Sequence, residues 1–278
     1  MSGLVTSAVL AAAILHATWN ALVKSDGDRM ILLGGMVTAE ALVCIALLSF
    51  FPLPPVSAIP FLIASALLHS TYKLFLLRAY GLGDLSQVYP IARGSAPLLV
   101  ALFAALFAGE ALTLETVGGV AVIAIGIMSL SFFSGGFARS GRGMLAASLA
   151  TGTMIAAYTV VDGSGARHLG GPHVFMIWAT ILDAAIFLPA VILLRKDAVR
   201  RMLRRWRPAT LAGGITLGAY WLVVWALTQA PMASVSALRE TSVIFGALIG
   251  SLLFKEPQGR RRVLAATLVA AGVVLLRP

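Results

Sequence analysis

The chain has 278 residues, of which 59% are hydrophobic and only 12% are charged. A soluble domain of this length carries roughly twice that charged fraction, so the composition excludes a water-soluble globular protein and predicts an all-α integral membrane protein. The formal charge of +10 is interpreted as a signal of membrane topology, and no nucleic-acid partner is expected.

The apolar segments predict ten transmembrane helices, because a hydrocarbon core of roughly 30 Å needs about 20 helical residues. In chain order the predicted spans are 4–23, 30–51, 59–80, 86–107, 114–133, 144–161, 173–194, 208–230, 232–254 and 263–276. The longest polar joins are 134–143 and the basic stretch 195–207. The single cysteine, Cys44, lies inside the second span, so disulfides and cysteine-based metal sites are excluded. We expect no cofactor and no metal.

An internal repeat relates the two ends of the chain. A shift of 146 residues aligns Arg93 with Arg239, Glu110 with Glu256 and Gly126 with Gly272 without a gap. Residues 1–138 and 139–278 are therefore predicted to be two five-helix halves. Because five is an odd number, the second half crosses the membrane in the opposite direction, which gives the inverted-topology repeat common among secondary transporters.

The placement of basic residues gives independent support for ten spans. Sixteen of the 21 Lys and Arg residues fall in, or within about two residues of, joins that follow odd-numbered spans, whereas only Arg167 and Arg277 fall in the other joins or the tail. By the positive-inside rule the odd joins are cytoplasmic, which places both termini outside. We expect a multi-pass protein of the cell (inner) membrane, with the lipid bilayer as its first partner.

Three short motifs carry a resemblance to a known family. They are His16-Ala17-Thr18-Trp19-Asn20 with Lys24 at the end of the first span, Gly109-Glu110 after the fourth, and Lys255-Glu256 after the ninth. With the two five-helix halves, they resemble EamA-type carriers of the drug/metabolite transporter superfamily over the whole chain. The resemblance implies a permease for small metabolites that works by alternating access around a central cavity. It also implies cytoplasmic termini, the reverse of what the basic residues predict.

Ionisable residues at membrane depth cost roughly 2.5–3.5 kcal/mol on insertion scales, so they are expected to face a cavity or a partner. On the first span, His16 and Asn20 lie four residues apart with Trp19 beside them. An aromatic wall next to an amide can hold a polar solute, and these three are predicted to bind substrate. The alternative is that His16 and Asn20 only bond to neighbouring helices.

Arg93 and Arg239 occupy matching places in the two halves and could clamp a carboxylate or phosphate from both sides, because guanidinium offers bidentate donors. The alternative is that both are neutralised in structural ion pairs by Glu240, Asp183 or Glu40. In the superfamily's phosphate translocators the ninth helix carries adjacent basic residues, whereas here Glu240 follows Arg239, which disfavours a phosphate site.

Three further residues, Lys73, Tyr158 and Trp221, complete the predicted substrate-binding set. Glu240 and Asp183 are candidates for proton coupling, because a carboxylate inside the membrane can take up a proton from one side and release it to the other. The leading interpretation is a secondary transporter of a small polar solute, anionic or zwitterionic, bound at the midplane.

The alternatives are an intramembrane enzyme or a flippase that acts on lipid headgroups, and a membrane assembly factor. Against an enzyme, the sequence contains no H-E-x-x-H or G-x-S-x-G motif. The pattern Gly214-x-x-x-Gly218 lets helices approach closely, either within the chain or in a homodimer.

Overall fold

The computed structural model describes residues 1–24, 28–83, 85–133, 141–246 and 260–276, and within them every regular element is helical. The helices are α1 (Gly3–Lys24), α2 (Arg29–Leu47), α3 (Ile59–Leu82), α4 (Leu85–Phe107), α5 (Leu114–Phe133), α6 (Arg142–His168), α7 (Pro172–Leu194), α8 (Ala198–Arg204), α9 (Trp206–Gln229), α10 (Met232–Arg239) and α11 (Arg260–Leu275). Short 3₁₀ turns at Leu48–Phe50 and Val56–Ala58 connect α2 to α3.

Seven of the described helices are long and apolar enough to cross a bilayer: α1, α2, α3, α4, α6, α7 and α9. The apolar parts of α5 and α11, Leu114–Leu130 and Leu264–Leu275, are shorter. The prediction of an all-helical membrane protein is confirmed for the described residues. Helices are the expected solution, because a lipid environment offers no water to satisfy open backbone groups.

Local sequence explains where the helices begin and end. The Asp28 side chain accepts a hydrogen bond from the Ile31 amide at 3.3 Å and so caps α2. A proline occupies the first turn of α3 and of α7, where it costs no hydrogen bond. The N-terminus of α10 follows Pro231, and the Glu110 carboxylate accepts a hydrogen bond from its first amide, that of Met232, at 2.8 Å.

Eight helices form a closed ring around the centre of the molecule. Going round the ring, the order is α1, α9, α2, α7, α3, α6, α4 and α10, each packed against the next and the last against the first. Consecutive members of the ring are mostly distant in sequence, so the ring interleaves the two halves of the chain. This interleaving builds one central cavity from both halves.

The remaining long helices, α5 and α11, lie outside the ring and pack against each other. A Cβ at Gly126 would lie 2.8 Å from the Leu268 Cβ, and a Cβ at Gly272 would lie 2.8 Å from the Gly119 carbonyl oxygen. The two glycines that the repeat aligns therefore both allow the close contact of this pair. In contrast, no described atom lies within 4 Å of a Cβ at Gly214 or Gly218, so the homodimer stays a prediction.

The structure corrects the predicted spans in three places. Helix α6 runs to His168, beyond the predicted end at 161, because tertiary partners accommodate Asp162 and Arg167. The basic stretch 195–207, predicted as a join, contains the short helix α8. The ninth span was predicted to be continuous, but α10 ends at Arg239 and helix resumes only at Ser242.

Some sequence predictions lie outside the described residues. These are the side chain of Lys24, residues 134–140 of the join after the fifth span, residues 247–254 of the ninth span, and the Lys255-Glu256 motif. The count of ten spans and the inverted relation of the halves stay predictions.

Candidate functional site

A cavity of about 150 Å³ lies inside the helix ring. It is lined by residues of α1, α2, α3, α6, α7, α9 and α10, so both halves of the chain contribute. Much of the lining is apolar, with Leu33, Met36, Met176, Leu217 and Val223 among the residues. The polar lining comprises His16, Trp19, Glu40, Ser65, His69, Tyr72, Lys73, Tyr158, Asp162, Thr180, Asp183, Thr216, Tyr220 and Arg239.

Arg239 is the last residue of α10, and its side chain reaches the cavity although the residue is only 4% exposed. Its Nη2 donates to the Tyr158 hydroxyl at 3.5 Å, a long hydrogen bond. It forms no ion pair with any described residue, and its buried Nε has no hydrogen-bond partner there. The adjacent Glu240 attracts Arg239 electrostatically but is bonded to Arg93. A buried cation that no carboxylate contacts is costly, so this position favours an incoming anionic group.

Arg93, the residue that the repeat aligns with Arg239, has a different environment. It is 3% exposed and forms an ion pair with the fully buried Glu240, with 3.0 Å between Nε and Oε2. Its Nη2 also donates to the Ser242 hydroxyl at 3.4 Å. Arg93 does not line the main cavity but a small side cavity of about 20 Å³. The geometry of Arg93 therefore agrees with the predicted alternative of a structural ion pair with Glu240. It does not agree with a clamp in which Arg93 and Arg239 both face the main cavity.

The interruption of the ninth span lies at this ion pair. The amides of Glu240 and Thr241 donate to carbonyls three residues earlier, those of Ala237 and Leu238, both at 3.1 Å. Hydrogen bonds with this spacing are typical of 3₁₀ turns, and a short 3₁₀ stretch inside a helix often marks a functional hinge. The turn directs Arg239 towards the main cavity and Glu240 towards α4.

A second ion pair joins α3 to α7 at the cavity wall. Lys73 donates to Asp183 Oδ2 at 2.5 Å, and the Ser70 hydroxyl donates to Asp183 Oδ1 at 2.8 Å. The Lys73 ammonium also lies 5.1 Å from the centre of the Phe187 ring. Lys73 and Asp183, predicted respectively to bind substrate and to couple protons, therefore face the cavity as a pair and compensate each other's charge.

A polar cluster links α3, α6 and α9 and consists of His69, Asp162 and Tyr220, none of which was in the predicted site. His69 Nε2 lies 2.8 Å from Asp162 Oδ2, and the Tyr220 hydroxyl donates to the same oxygen at 2.6 Å. The His69 ring stacks on Tyr158 at a centroid distance of 4.1 Å. The sequence indicates part of this cluster, because Tyr158 and Asp162 are four residues apart and so lie on one face of α6. Only the packing of the helices shows that this face meets His69 of α3 and Tyr220 of α9.

The residues predicted on the first span lie where the two cavities meet. Trp19 donates its indole N–H to His16 Nδ1 at 3.2 Å, and both side chains line both cavities. Asn20 donates to the His16 backbone carbonyl at 2.8 Å and lines only the small side cavity. Asn20 is therefore partly satisfied by its own helix, whereas His16 and Trp19 separate the main cavity from the side cavity that holds Arg93.

Trp221 is not among the residues that line either cavity. Its indole N–H donates to His173 Nδ1 at 3.1 Å near the surface, and the neighbouring Tyr220 lines the main cavity instead. Glu40 of α2, which the predicted binding set left out, lines the main cavity and has no ion pair or hydrogen bond with a described residue.

A network around Arg167 joins several helices at one end of the molecule. Arg167, near the C-terminus of α6, pairs with Glu110 at 2.8 Å and donates to the carbonyl oxygens of Leu227 and Ala230, each at 2.8 Å. Glu110 in turn caps α10 through the Met232 amide. This network ties α6, α9, α10 and the α4–α5 connection together. Glu110 of the Gly-Glu motif thus has an observed structural role.

Comparisons with known proteins agree with this architecture. Residues 141–277 match the model of the EamA-like transporter family. A solved crystal structure of a protein shares the fold with a TM-score of 0.76 at 19% identity, covering 99% of this chain and 96% of that one. At that identity the likeness concerns the fold alone. No curated protein matches the sequence.

Proposed function

Because residues 141–277 match the model of the EamA-like transporter family, we propose that this chain is a secondary transporter of that family whose solute binds in the central cavity. The solute is small and polar and carries an anionic group, which Arg239 receives. The single observation that carries the proposal is the buried Arg239 guanidinium, which reaches a cavity built from both halves and has no carboxylate partner among the described residues.

The contacts between helices support the predicted inverted repeat of residues 1–138 and 139–278. In that repeat α1 to α5 correspond to α6, α7, α9, α10 and α11. Exchanging the halves turns the pair α1/α9 into α6/α3, the pair α2/α9 into α7/α3 and the pair α1/α10 into α6/α4, and all six pairs are in contact. A pseudo-two-fold relation of this kind allows one bundle to rock against the other around a fixed midplane site.

Departures from this symmetry favour a state that is open at one end only. Helix α6 packs against α9 and α7, but the exchanged pairs, α1 with α3 and α1 with α2, make no comparable contact among the described residues. The α6/α9 contact includes the bonds of Arg167, so the closed end is the one that carries the α9–α10 connection. By the positive-inside rule that end is external, and the cavity of this state faces the cytoplasm.

The proposal is tested with purified protein in liposomes that are loaded with unlabelled solute. Counterflow is measured with labelled small carboxylates, amino acids and phosphorylated sugars. We expect Arg239→Gln to reduce uptake of the preferred solute by at least about tenfold, because a charge-assisted hydrogen bond is lost. Arg200→Gln, an exposed arginine of α8, is the matched control and should transport normally.

Two outcomes contradict the proposal. Uptake that is unchanged in Arg239→Gln would remove the anion-binding role of this residue. If no solute moves in the unsubstituted protein and a labelled lipid is instead flipped or converted, the transport of a soluble metabolite is wrong.

A further inference from the structure

We infer that the solute is a zwitterion and that Glu40 recognises its cationic group while Arg239 holds its anionic group. This inference rests on the proposed function and adds the substrate class and a second specificity-determining residue. It comes from the charges that the cavity leaves unmatched.

Glu40 lies near the middle of α2, eleven residues after its first residue, Arg29, and so at membrane depth. It lines the cavity, and no described residue makes an ion pair or hydrogen bond with its carboxylate. Lys73 attracts Glu40 electrostatically but is already bonded to Asp183. An acidic side chain at this depth is costly and is expected to serve a ligand or an ion pathway.

Among the charged side chains that line the cavity, one cation and one carboxylate form no ion pair with a described residue. Lys73 and Asp183 compensate each other. Asp162 is held on one oxygen by His69 and Tyr220. Arg239 and Glu40 then remain, on α10 and α2, which come from different halves of the chain.

This pattern discriminates between classes of solute. A simple anion would satisfy Arg239 but leave Glu40 without a partner, and a simple cation would do the reverse. A zwitterion satisfies both and brings no net charge into a low-dielectric site, where an unpaired charge is disfavoured. The apolar lining of Leu33, Met36, Met176 and Leu217 offers contacts to the uncharged part of the molecule.

Alternatively, Glu40 is a carboxylic acid that stays protonated and does not bind the cationic group of the solute. The two roles differ in their response to Glu40→Gln, because glutamine mimics the protonated acid in shape and in its lack of charge. A site that uses the protonated form tolerates this change, whereas a site that pairs the carboxylate with an ammonium group does not.

The probes are matched triplets on one carbon skeleton: an amino acid, its N-acetyl derivative without the cation, and its amide without the anion. Triplets with α-, β- and γ-spacing of the two charges and apolar side chains vary the distance between them. Binding is measured by calorimetry on the full chain in detergent, and transport by counterflow in liposomes. We expect the unsubstituted protein to prefer the zwitterion of one triplet by at least about tenfold over either analogue.

The preference for the zwitterion has two parts, one over the N-acetyl derivative and one over the amide, and each of two variants should lose one part. Glu40→Gln should bind the zwitterion and the N-acetyl derivative about equally but still reject the amide. Arg239→Gln should bind the zwitterion and the amide about equally but still reject the N-acetyl derivative. Each preference is a ratio within one protein preparation, so a partly unfolded variant does not alter it. Glu115→Gln, at an exposed glutamate of α5, is the control and should keep both preferences.

Three results would overturn the inference. The first is a preference for the zwitterion over its N-acetyl derivative that survives Glu40→Gln. The second is an N-acetyl derivative that binds the unsubstituted protein as tightly as its zwitterion, and the third is binding by no member of any triplet. In each case the proposed function still stands if another labelled anion moves in counterflow and this movement depends on Arg239. If nothing moves, the proposed function fails as well.

Discussion

Arg93 and Arg239 occupy matching positions in the two halves and are buried to nearly the same degree, 3% and 4% exposed, yet their environments differ. Arg93 is neutralised by Glu240, and Arg239 reaches the cavity without a carboxylate partner among the described residues. The residue after Arg239 is Glu240, but the residue after Arg93 is Gly94. Of the two arginines, only Arg93 forms an ion pair with Glu240, and Arg239 is the one that we propose to bind the solute.

Two arginines that the sequence repeat aligns therefore differ in their contacts, because one is held in an ion pair and the other faces the main cavity. Glu240 is adjacent to Arg239 in sequence but pairs with Arg93, because the backbone turn at residues 240–241 points the two side chains of the second half in different directions. Substitutions at the two arginines should therefore affect different properties of the protein.

The largest effect is expected from Arg93→Leu, which leaves Glu240 buried without its counter-ion. Breaking a buried ion pair by removing one partner costs about 3–5 kcal/mol, so the free energy of unfolding should fall by that order. The measurement is denaturant or thermal unfolding of the purified protein in detergent.

The double variant Arg93→Leu/Glu240→Leu is the control, since it removes both charges of the pair. We expect it to recover most of the lost stability. A double variant as unstable as the single one would show that Arg93 stabilises the protein through other contacts than the ion pair.

Arg239→Gln should show the opposite profile, with unfolding free energy within about 1 kcal/mol of the unsubstituted protein, because no ion pair is broken. Its dissociation constant for an anionic solute should rise by about 10- to 100-fold. Calorimetry of binding and an unfolding curve on the same sample separate the two effects. A loss of stability as large as that of Arg93→Leu would contradict the view that Arg93 stabilises the fold whereas Arg239 serves the solute.

A smaller effect is expected from Tyr158→Phe. The Tyr158 hydroxyl accepts a long 3.5 Å hydrogen bond from Arg239 and so helps to orient the guanidinium. Removing it should weaken solute binding by about 0.5–1 kcal/mol, or roughly two- to fivefold. The dissociation constants of the two proteins for one solute provide the measurement, and a change above about 100-fold would indicate direct contact between Tyr158 and the solute.

The smallest effect on binding is expected from Trp221→Phe. Trp221 lies outside both cavities and donates to His173 near the surface. The substitution should leave the dissociation constant unchanged and lower the free energy of unfolding by about 1 kcal/mol at most. A strong loss of binding would restore the predicted contact of Trp221 with substrate.

Much of the helical framework could be predicted from the sequence, and the errors have a common cause. The predicted end of the sixth span at residue 161 was too early, because a hydropathy pattern stops at Asp162 whereas His69 and Tyr220 accommodate that carboxylate. The predicted continuous ninth span overlooked the break at 240–241. In both cases the helix geometry is accompanied by a contact with another helix that the hydropathy pattern does not contain: His69 and Tyr220 with Asp162, and Arg93 with Glu240.

The candidate site was predicted in part. His16, Trp19, Lys73, Tyr158, Asp183 and Arg239 line the main cavity, whereas Arg93 and Asn20 line the small side cavity and Trp221 lines neither. Glu40 and Glu240 were both predicted as possible counter-ions of the arginines, and Glu240 alone of the two as a candidate for proton coupling. The structure distinguishes them, because Glu240 forms an ion pair with Arg93 whereas Glu40 lines the main cavity without an ion pair to a described residue.

The sequence by itself determined that this chain is a helical membrane protein and which ionisable residues lie within the bilayer. Both follow from local properties, because a span needs only enough consecutive apolar residues and a charge is costly in lipid wherever it stands. Only the tertiary structure decided which of those charges are compensated. Compensation depends on distances of a few ångströms between helices, such as the 3.0 Å between Arg93 and Glu240, and these distances are set by how the helices pack.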